Sequence, residues 1–380
     1  MNVIIMVSDG YPIKFSANNT KGEYIAMGLK KAGCKVAMLD EFYGTKGVMS
    51  AEKGVSDSGI EYLLLPRVGR VMTPFHTLPQ IWKYLKERKE KGAKNHIIIG
   101  MKFYPLYILV CFIAWLQGYT RSSLFHEWHI SFGNKTKRWY SEAWLKDKTF
   151  GYLLNGIFPI GHFLKDRTIR FGKPVMLVPV MGKYDRTPNV YKRQSNFTYC
   201  CGAAYLLRNR LVLDAFKMLI SEEKLSYISL VLVLIGSTDE LDAVSRLTID
   251  MGISDNIIIK NQISQAELYD TFDSSIGLII PLNPDNLQDI ARFSQKIAEY
   301  VASKRPIITS NVGEIPYYFK DNETAKIVPY SVEGYFNGMK TLAENHNLAD
   351  EIGAGGYNVG CEKFDYEKVG KEMKTFIECL

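Results

Sequence analysis

The sequence predicts an α/β protein of two domains, each built on a doubly wound parallel sheet. The chain has 380 residues, which is enough for two domains of ~100–200 residues each. Short apolar runs alternate with amphipathic segments, as is typical of parallel strands covered by helices on both faces. This alternation starts again after a polar segment, residues 186–195, which contains Pro188 and is the predicted hinge.

The predicted elements follow the chain in order. In the first half, strands are predicted at 3–7, 35–39, 62–65, 96–100, 122–125 and 176–179, and helices at 22–32, 78–91 and 104–116. In the second half, strands are predicted at 197–201, 229–235, 256–259, 276–280 and 306–309, and an amphipathic helix at 210–220. The predicted domains are 1–190 and 191–365, which face each other across a cleft. A final helix over 366–380 is predicted to pack back toward the first domain.

Charge is divided unevenly between the two halves. Residues 1–190 contain 28 Lys and Arg against 14 Asp and Glu, whereas residues 191–380 contain 19 against 26. A basic half attracts phosphate-bearing partners, which include nucleotides, anionic membranes and nucleic acids. Nucleic acid is not an expected partner, because too few aromatic residues interleave with the basic ones and no recognition helix is predicted.

An anionic membrane surface is an expected partner of this basic half. Segment 82–91 predicts a basic helix with Trp82 and Leu85 on one face, for which the alternative is an ordinary solvated face. Further basic and aromatic side chains that suit a membrane surface are Lys135, Lys137, Arg138 and Trp139.

Composition and targeting signals indicate a cytoplasmic globular protein, peripheral on the inner face of the plasma membrane. Residues 1–7 lack the positive n-region of a signal peptide and are predicted to form a buried strand. The apolar run 104–115 is shorter than the ~20 residues of a spanning helix. We interpret it as a buried core helix, with an interfacial segment as the alternative. The six cysteines lack metal-ligand spacing and read as reduced thiols.

The strongest local signal is the segment FSQKIAEYVASKRPII, residues 293–308. Ile297, Val301 and Ala302 share one helical face, and a buried strand begins at Pro306. Ser294 is predicted to cap this helix, so that its free N–H groups face the cleft and suit a diphosphate. Glu299 lies further along the helix, where a carboxylate could accept hydrogen bonds from two ribose hydroxyls.

This segment resembles the donor-site signature of the retaining group 1 (GT4) family of GT-B glycosyltransferases. Residues 234–236, 253–257 and 263–269 resemble further parts of the same pattern, in the same order. The resemblance covers about 195–370 and is looser in the first half. It implies the GT-B fold, with two Rossmann-like domains, and transfer of a sugar from a nucleotide donor.

The resemblance also implies roles for individual residues. Glu299 matches the ribose-binding Glu of the family pair E-x7-E, but the first Glu of that pair is replaced by Ala291. Asp285, Asp289 and Arg292 lie close by in sequence and are the alternatives for its role. The resemblance assigns donor binding to Gly202, Arg208, Arg210, Ser294, Gln295, Lys296 and Glu299. For each charged member, the alternative is an ordinary surface side chain.

In the first half, the resemblance points to two loops. His126 follows a predicted strand and is the expected catalytic residue, and His129 is expected near the acceptor. Glu127 lies between them, and a metal site formed by these three is a less favoured alternative. Asn18, Asn19 and Thr20 are expected to bind the acceptor from a loop, with a helix cap as the alternative.

The predicted function is therefore a glycosyltransferase that acts on a glycan or lipid-linked glycan in bacterial surface polysaccharide synthesis, with retention of configuration. No cofactor or metal is expected, because the sequence has no Asp-x-Asp metal clamp. Two alternatives stay open at this point. One is a non-catalytic subunit that binds a nucleotide-sugar, and the other is an epimerase or hydrolase of the same fold.

Overall fold

The computed structural model describes residues 1–7, 10–12, 17–43, 51–66, 73–100, 106–125, 149–189 and 193–380. The chain divides into two compact units. Unit 1 comprises Met1–Met181, Ala291–Gln295 and Phe364–Leu380, and unit 2 comprises Gly182–Ile290 and Lys296–Lys363.

The strands are β1 Asn2–Val7, β2 Lys35–Tyr43, β3 Glu52–Val55, β4 Glu61–Pro66, β5 Asn95–Ile99, β6 Thr120–Phe125, β7 Gly156–Pro159, β8 Asn196–Gly202, β9 Ser229–Ile235, β10 Ile257–Asn261, β11 Gly277–Ile280, β12 Ile307–Thr309 and β13 Lys326–Ile327. The helices are α1 Ala17–Lys31, α2 Thr73–Arg88, α3 Leu106–Leu116, α4 His162–Thr168, α5 Leu206–Ile220, α6 Thr238–Asp250, α7 Gln265–Asp273, α8 Leu287–Ala291, α9 Gln295–Val301, α10 Ile315–Tyr318, α11 Val332–Glu344, α12 His346–Val359 and α13 Tyr366–Cys379.

Unit 1 is built on a sheet with the order β3-β4-β2-β1-β5-β6-β7 among the described strands. All neighbours are parallel except β3 and β4, which pair antiparallel at one edge. Every residue of the central strands β1 and β5 is buried. Burial of both faces explains why these strands are continuous apolar runs rather than alternating ones.

Unit 2 is built on a parallel sheet with the order β10-β9-β8-β11-β12-β13. The chain runs outward from β8 to β10 and then returns to the other side of β8 with β11, which is the 3-2-1-4-5-6 order of a doubly wound fold. The order therefore reverses between β8 and β11. In such sheets, ligands bind beyond the carboxyl ends of the strands that flank this reversal. The predicted doubly wound α/β architecture is confirmed.

The C-terminal helix α13 packs on α1 within unit 1. The two helices meet at a pair of glycines, where a Cβ on Gly28 would lie 2.2 Å from the Tyr366 carbonyl oxygen. A Cβ on Gly370 would lie 2.2 Å from the backbone carbon of Gly28. Only residues without a side chain permit this close approach of the two backbones. The apolar face of α13, with Val369 and Met373, is thereby buried against the core of unit 1.

The strand predicted at 176–179 is wrong. Val175 makes only an isolated bridge to Ile157, in the strand β7 that the sequence did not predict. Pro174 and Pro179 flank the apolar run and cannot donate to a ladder, so the segment stays extended without forming a strand. Strand β7 escaped prediction because its four residues begin with Gly and end with Pro, which is typical of a turn.

The interpretation of 104–115 as a buried core helix is half wrong. Helix α3 buries Val110 and Ala114, but Phe112 is 53% exposed and Trp115 is 56% exposed. No helix of the described part of the chain is long and apolar enough to cross a membrane.

Candidate nucleotide-sugar site

The candidate site lies in unit 2, at the carboxyl end of β8. This strand ends at Gly202, and α5 begins four residues later with Leu206. The neighbouring strand β11 is followed by α8, which carries Asp289. The site therefore lies where the strand order of unit 2 reverses.

Arg208 is held at this edge by a buried ion pair. Its Nη2 donates to Oδ2 of Asp289 across 2.5 Å, and Asp289 has no exposed surface. The same carboxylate oxygen accepts a hydrogen bond from the backbone N–H of Asn283 at 3.1 Å. The Arg208 guanidinium also lies 5.3 Å from the ring centre of Tyr205. The ion pair with Asp289 fixes the Arg208 side chain. A guanidinium has five N–H donors, so others remain that could donate to a phosphate.

Helix α9 is anchored to the same strand by its tyrosine. The hydroxyl of Tyr300 accepts a hydrogen bond from the backbone N–H of Cys200 in β8, at 3.1 Å. Its ring packs edge-on against Phe272, with the centres 4.9 Å apart. The Tyr184 hydroxyl donates to the carbonyl of Ala298 at 3.0 Å. These contacts set the position of the residues that precede and follow Ala298 on α9.

Glu299 and Lys296 are carried by the anchored helix. Glu299 is half-buried, and no hydrogen bond or ion pair to its carboxylate occurs among the described residues. Burial raises its pKa to about 7, and the nearby charge of Lys296 only partly offsets this rise. A half-buried carboxylate without a donor is costly when ionised. Donors supplied by a ligand would stabilise it.

The charged groups of α9 and α5 converge on the end of β8. Lys296 and Arg208 both lower the pKa of the Cys201 thiol, although burial raises that pKa overall, to about 11. The pKa of Cys200, one residue earlier in the strand, is lowered by the charge of Lys296 and raised by that of Glu299, while burial raises it most. Two cations and one carboxylate therefore lie near the end of the same strand. This set of groups suits a diphosphate joined to a ribose.

The other predicted donor residues have different surroundings. Arg210 is on α5 but 59% of its side chain is exposed, and its partner is Asp214 one turn along the helix. Side chains two positions apart on an α-helix differ in direction by about 200°. Arg208 and Arg210 therefore point to different sides of α5, and the structure does not bring them together. Gly202 is the last residue of β8.

Ser294 and Gln295 belong to unit 1. Ser294 directly precedes α9, which has seven residues and ends at Val301, earlier than the sequence predicted. Gln295 is buried, and its amide nitrogen donates to the carbonyl of Met181. Ala291 is buried as well, with 3% of its surface exposed. The roles of Ser294 and Gln295 in donor binding stay predictions.

The expected acceptor loop is helical. Asn18, Asn19 and Thr20 lie in the first turn of α1, which begins at Ala17 rather than at the predicted residue 22. Asn18 and Asn19 are buried, with 9% and 5% of their surfaces exposed. The loop conformation predicted for these three residues is therefore wrong, because the helix starts one and a half turns earlier than expected.

His126, Glu127 and His129 lie outside the residues that the structure describes, as do Lys135, Lys137, Arg138 and Trp139. Their predicted roles stay predictions. Within the described ranges, no group of three or more His, Cys, Asp or Glu side chains is arranged to hold a metal ion.

Sequence reasoning missed the role of Asp289 as the partner of Arg208. The two residues are separated by 81 positions in the chain, so no local pattern connects them. The pairing of β8 with β11 brings them together. A correct strand order would have been the only signal.

Comparison with known proteins identifies the class. Residues 208–359 match the family model of Glycosyl transferases group 1. Anabaena HepE in complex with UDP has a TM-score of 0.75 at 10% identity, over 100% of both chains. Sucrose-phosphate synthase from Thermosynechococcus elongatus has a TM-score of 0.73 at 14% identity, over 100% of this chain and 98% of that one. A glycosyltransferase from Rickettsia africae has a TM-score of 0.71 at 14% identity, over 99% and 98%.

No curated protein sequence matches the chain significantly. The fold is that of the GT-B glycosyltransferases, as the sequence resemblance predicted, and the chain is a glycosyltransferase. Its residues 208–359 are a domain of the group 1 family.

Proposed function

We propose that the site at the end of β8 binds a nucleoside-diphosphate sugar and transfers the sugar to a glycan or lipid-linked glycan acceptor. The observation that carries this proposal is the half-buried Glu299 carboxylate, with its raised pKa and no donor among the described residues. The two hydroxyls of a ribose are donors that would satisfy it. Hydrogen bonds to a charged acceptor contribute about 1.5–3 kcal/mol.

Arg208 and Lys296 would hold the diphosphate. Negative charge grows on this leaving group as the glycosidic bond breaks, and fixed cations stabilise it most at that moment. The Asp289 pair keeps Arg208 in place before the donor arrives. In this proposal the transfer retains configuration and needs no metal ion.

Uridine diphosphate is the first nucleotide to test, because structures of Anabaena HepE contain UDP and UDP-glucose. The acceptor belongs to bacterial surface polysaccharide synthesis and is met in the cytoplasm. The basic first half, with 28 Lys and Arg against 14 Asp and Glu, favours an acceptor that carries phosphate.

Thermal unfolding with UDP, GDP, CMP and ADP tests the proposal. One nucleotide at about 100 times its dissociation constant should stabilise the wild-type protein by on the order of 2.7 kcal/mol. Glu299→Ala should abolish this stabilisation. If no nucleotide stabilises the folded wild type, the donor site is not where we place it. If a nucleotide binds tightly but the sugar of the corresponding nucleotide-sugar is never transferred or hydrolysed, the assignment of a transfer reaction fails. The assignment of the binding site would then still hold.

A further inference from the structure

The outer face of α3 is apolar and exposed. Leu109, Phe112, Trp115 and Leu116 are 46–56% exposed, and they recur at the three- and four-residue spacing of one helix face. None of the eleven residues of this helix is charged. A helix that is apolar on all sides is normally buried or in contact with lipid, so this face lacks the polar side chains expected against water.

The apolar surface continues beyond the helix. The neighbouring 3-10 helix Phe150–Leu153 exposes Tyr152 by 57% and Leu153 by 37%. Together with α3 it lines a cleft of about 430 Å³, whose wall also includes Phe112, Trp115 and Arg121. The α3 patch, defined as Leu109, Phe112, Trp115, Leu116, Tyr152 and Leu153, is therefore one continuous surface within unit 1.

Basic side chains border this patch. The ammonium of Lys89 lies within 3.3 Å of where a Cβ on Gly118 would be, two residues beyond the end of α3. At the other side, the Arg170 guanidinium lies 5.2 Å from the ring centre of Phe171, and that ring contacts Tyr152 at 5.1 Å. Trp82 lies beside the end of α3, because its carbonyl accepts a hydrogen bond from the side chain of Gln117 at 2.8 Å. It adds an aromatic residue with 41% of its surface exposed.

We propose that the α3 patch inserts into the surface of an anionic phospholipid bilayer. Aromatic and aliphatic side chains with basic neighbours are what a helix lying in a membrane interface presents. The apolar side chains would enter the acyl boundary, while Lys89 and Arg170 would meet lipid phosphates. Only the biological role of this membrane binding rests on the proposed function, because an enzyme bound to the membrane surface would meet a lipid-linked acceptor at that surface.

Co-sedimentation with vesicles tests this surface without any nucleotide. Wild-type protein should bind vesicles of equal parts phosphatidylcholine and phosphatidylglycerol, and bind much less to phosphatidylcholine alone or in high salt. The double variant Phe112→Gln/Trp115→Gln should lose affinity by on the order of tenfold or more. The matched control is Tyr227→Gln/Ile249→Gln, whose side chains are 61% and 63% exposed on unit 2, and it should bind like the wild type.

Fluorescence places the contact on α3 itself. Brominated lipids should quench wild-type tryptophan emission, and Trp115→Phe should keep vesicle binding while losing part of that quenching. The proposal would be overturned if the α3 double variant bound vesicles as tightly as the wild type, or if the control variant lost as much affinity as the α3 double variant. It would also be overturned if binding did not depend on the phosphatidylglycerol content of the vesicles. A concentration-dependent dimer that the α3 double variant abolishes, with no vesicle binding, would instead make the patch an interface between copies. UDP stabilisation of the double variant shows that it is folded and separates this result from the donor site.

Discussion

Replacing Arg208 with alanine is expected to lower the free energy of unfolding by about 3 kcal/mol or more. The substitution leaves the Asp289 carboxylate, which has no exposed surface, without the guanidinium that neutralises it. The hydrogen bond from the Asn283 N–H remains, but a neutral donor does not supply the positive charge that the guanidinium brought. Urea unfolding at neutral pH measures the change.

Arg210→Ala is the matched control for this prediction. Arg210 lies on the same helix and also has an aspartate partner, but its side chain is 59% exposed. Exposed pairs of this kind contribute little, so the change should stay within about 0.5 kcal/mol. The double variant Arg208→Ala/Asp289→Ala should recover part of the lost stability, because it also removes the buried carboxylate that the guanidinium had neutralised. Equal effects of the two arginine variants would show that the Asp289 pair is not the stabilising contact.

Glu299→Gln is expected to raise stability at pH 8 while weakening nucleotide binding by roughly tenfold or more. Burial raises the Glu299 pKa from 4.5 to about 7. Its ionised form is therefore disfavoured in the folded protein, and the stability associated with this group is present below pH 4.5 and lost as the pH rises through 7. A neutral glutamine avoids that loss. Because the side chain keeps some contact with water, the gain should be about 1–2 kcal/mol at pH 8.

The pH dependence separates this explanation from general improvement of packing. At pH 5 most of the wild-type carboxyl is protonated, so wild type and Glu299→Gln should unfold at nearly the same temperature. Glu351→Gln is a suitable control, because Glu351 is exposed and should change stability by less than about 0.5 kcal/mol at either pH. A gain for Glu299→Gln that persists unchanged at pH 5 would mean that burial of the charge is not its cause.

Local pattern predicted most strands but not the contacts that build the site. The apolar run 229–235 was predicted with the bounds that β9 has, because seven apolar or small residues closed by a glycine leave few other conformations. Arg208 and Asp289 come together only through the order of strands, which no local spacing encodes. Glu299 could be singled out from its place in a sequence motif, whereas its raised pKa depends on tertiary burial.

The sequence of helix α3 also did not predict which of its side chains are exposed. Its eleven apolar residues lack the periodicity that distinguishes an exposed face from a buried one. Burial was the reasonable interpretation, and only the packing of the neighbouring elements reveals that Phe112 and Trp115 face outward. The side chains that carry the membrane proposal were therefore visible in the sequence, but their exposure was not.

In the proposed donor complex, the Glu299 carboxylate receives hydrogen bonds from the ribose of the nucleotide. Titration calorimetry of wild type and Glu299→Gln with UDP and with 2′-deoxy-UDP tests it most directly. Loss of the hydroxyl or of the carboxylate alone should weaken binding by roughly tenfold or more, and loss of both should cost little beyond either one. Independent, additive losses, or a wild-type protein that does not bind UDP or any other nucleoside diphosphate, would contradict the assignment.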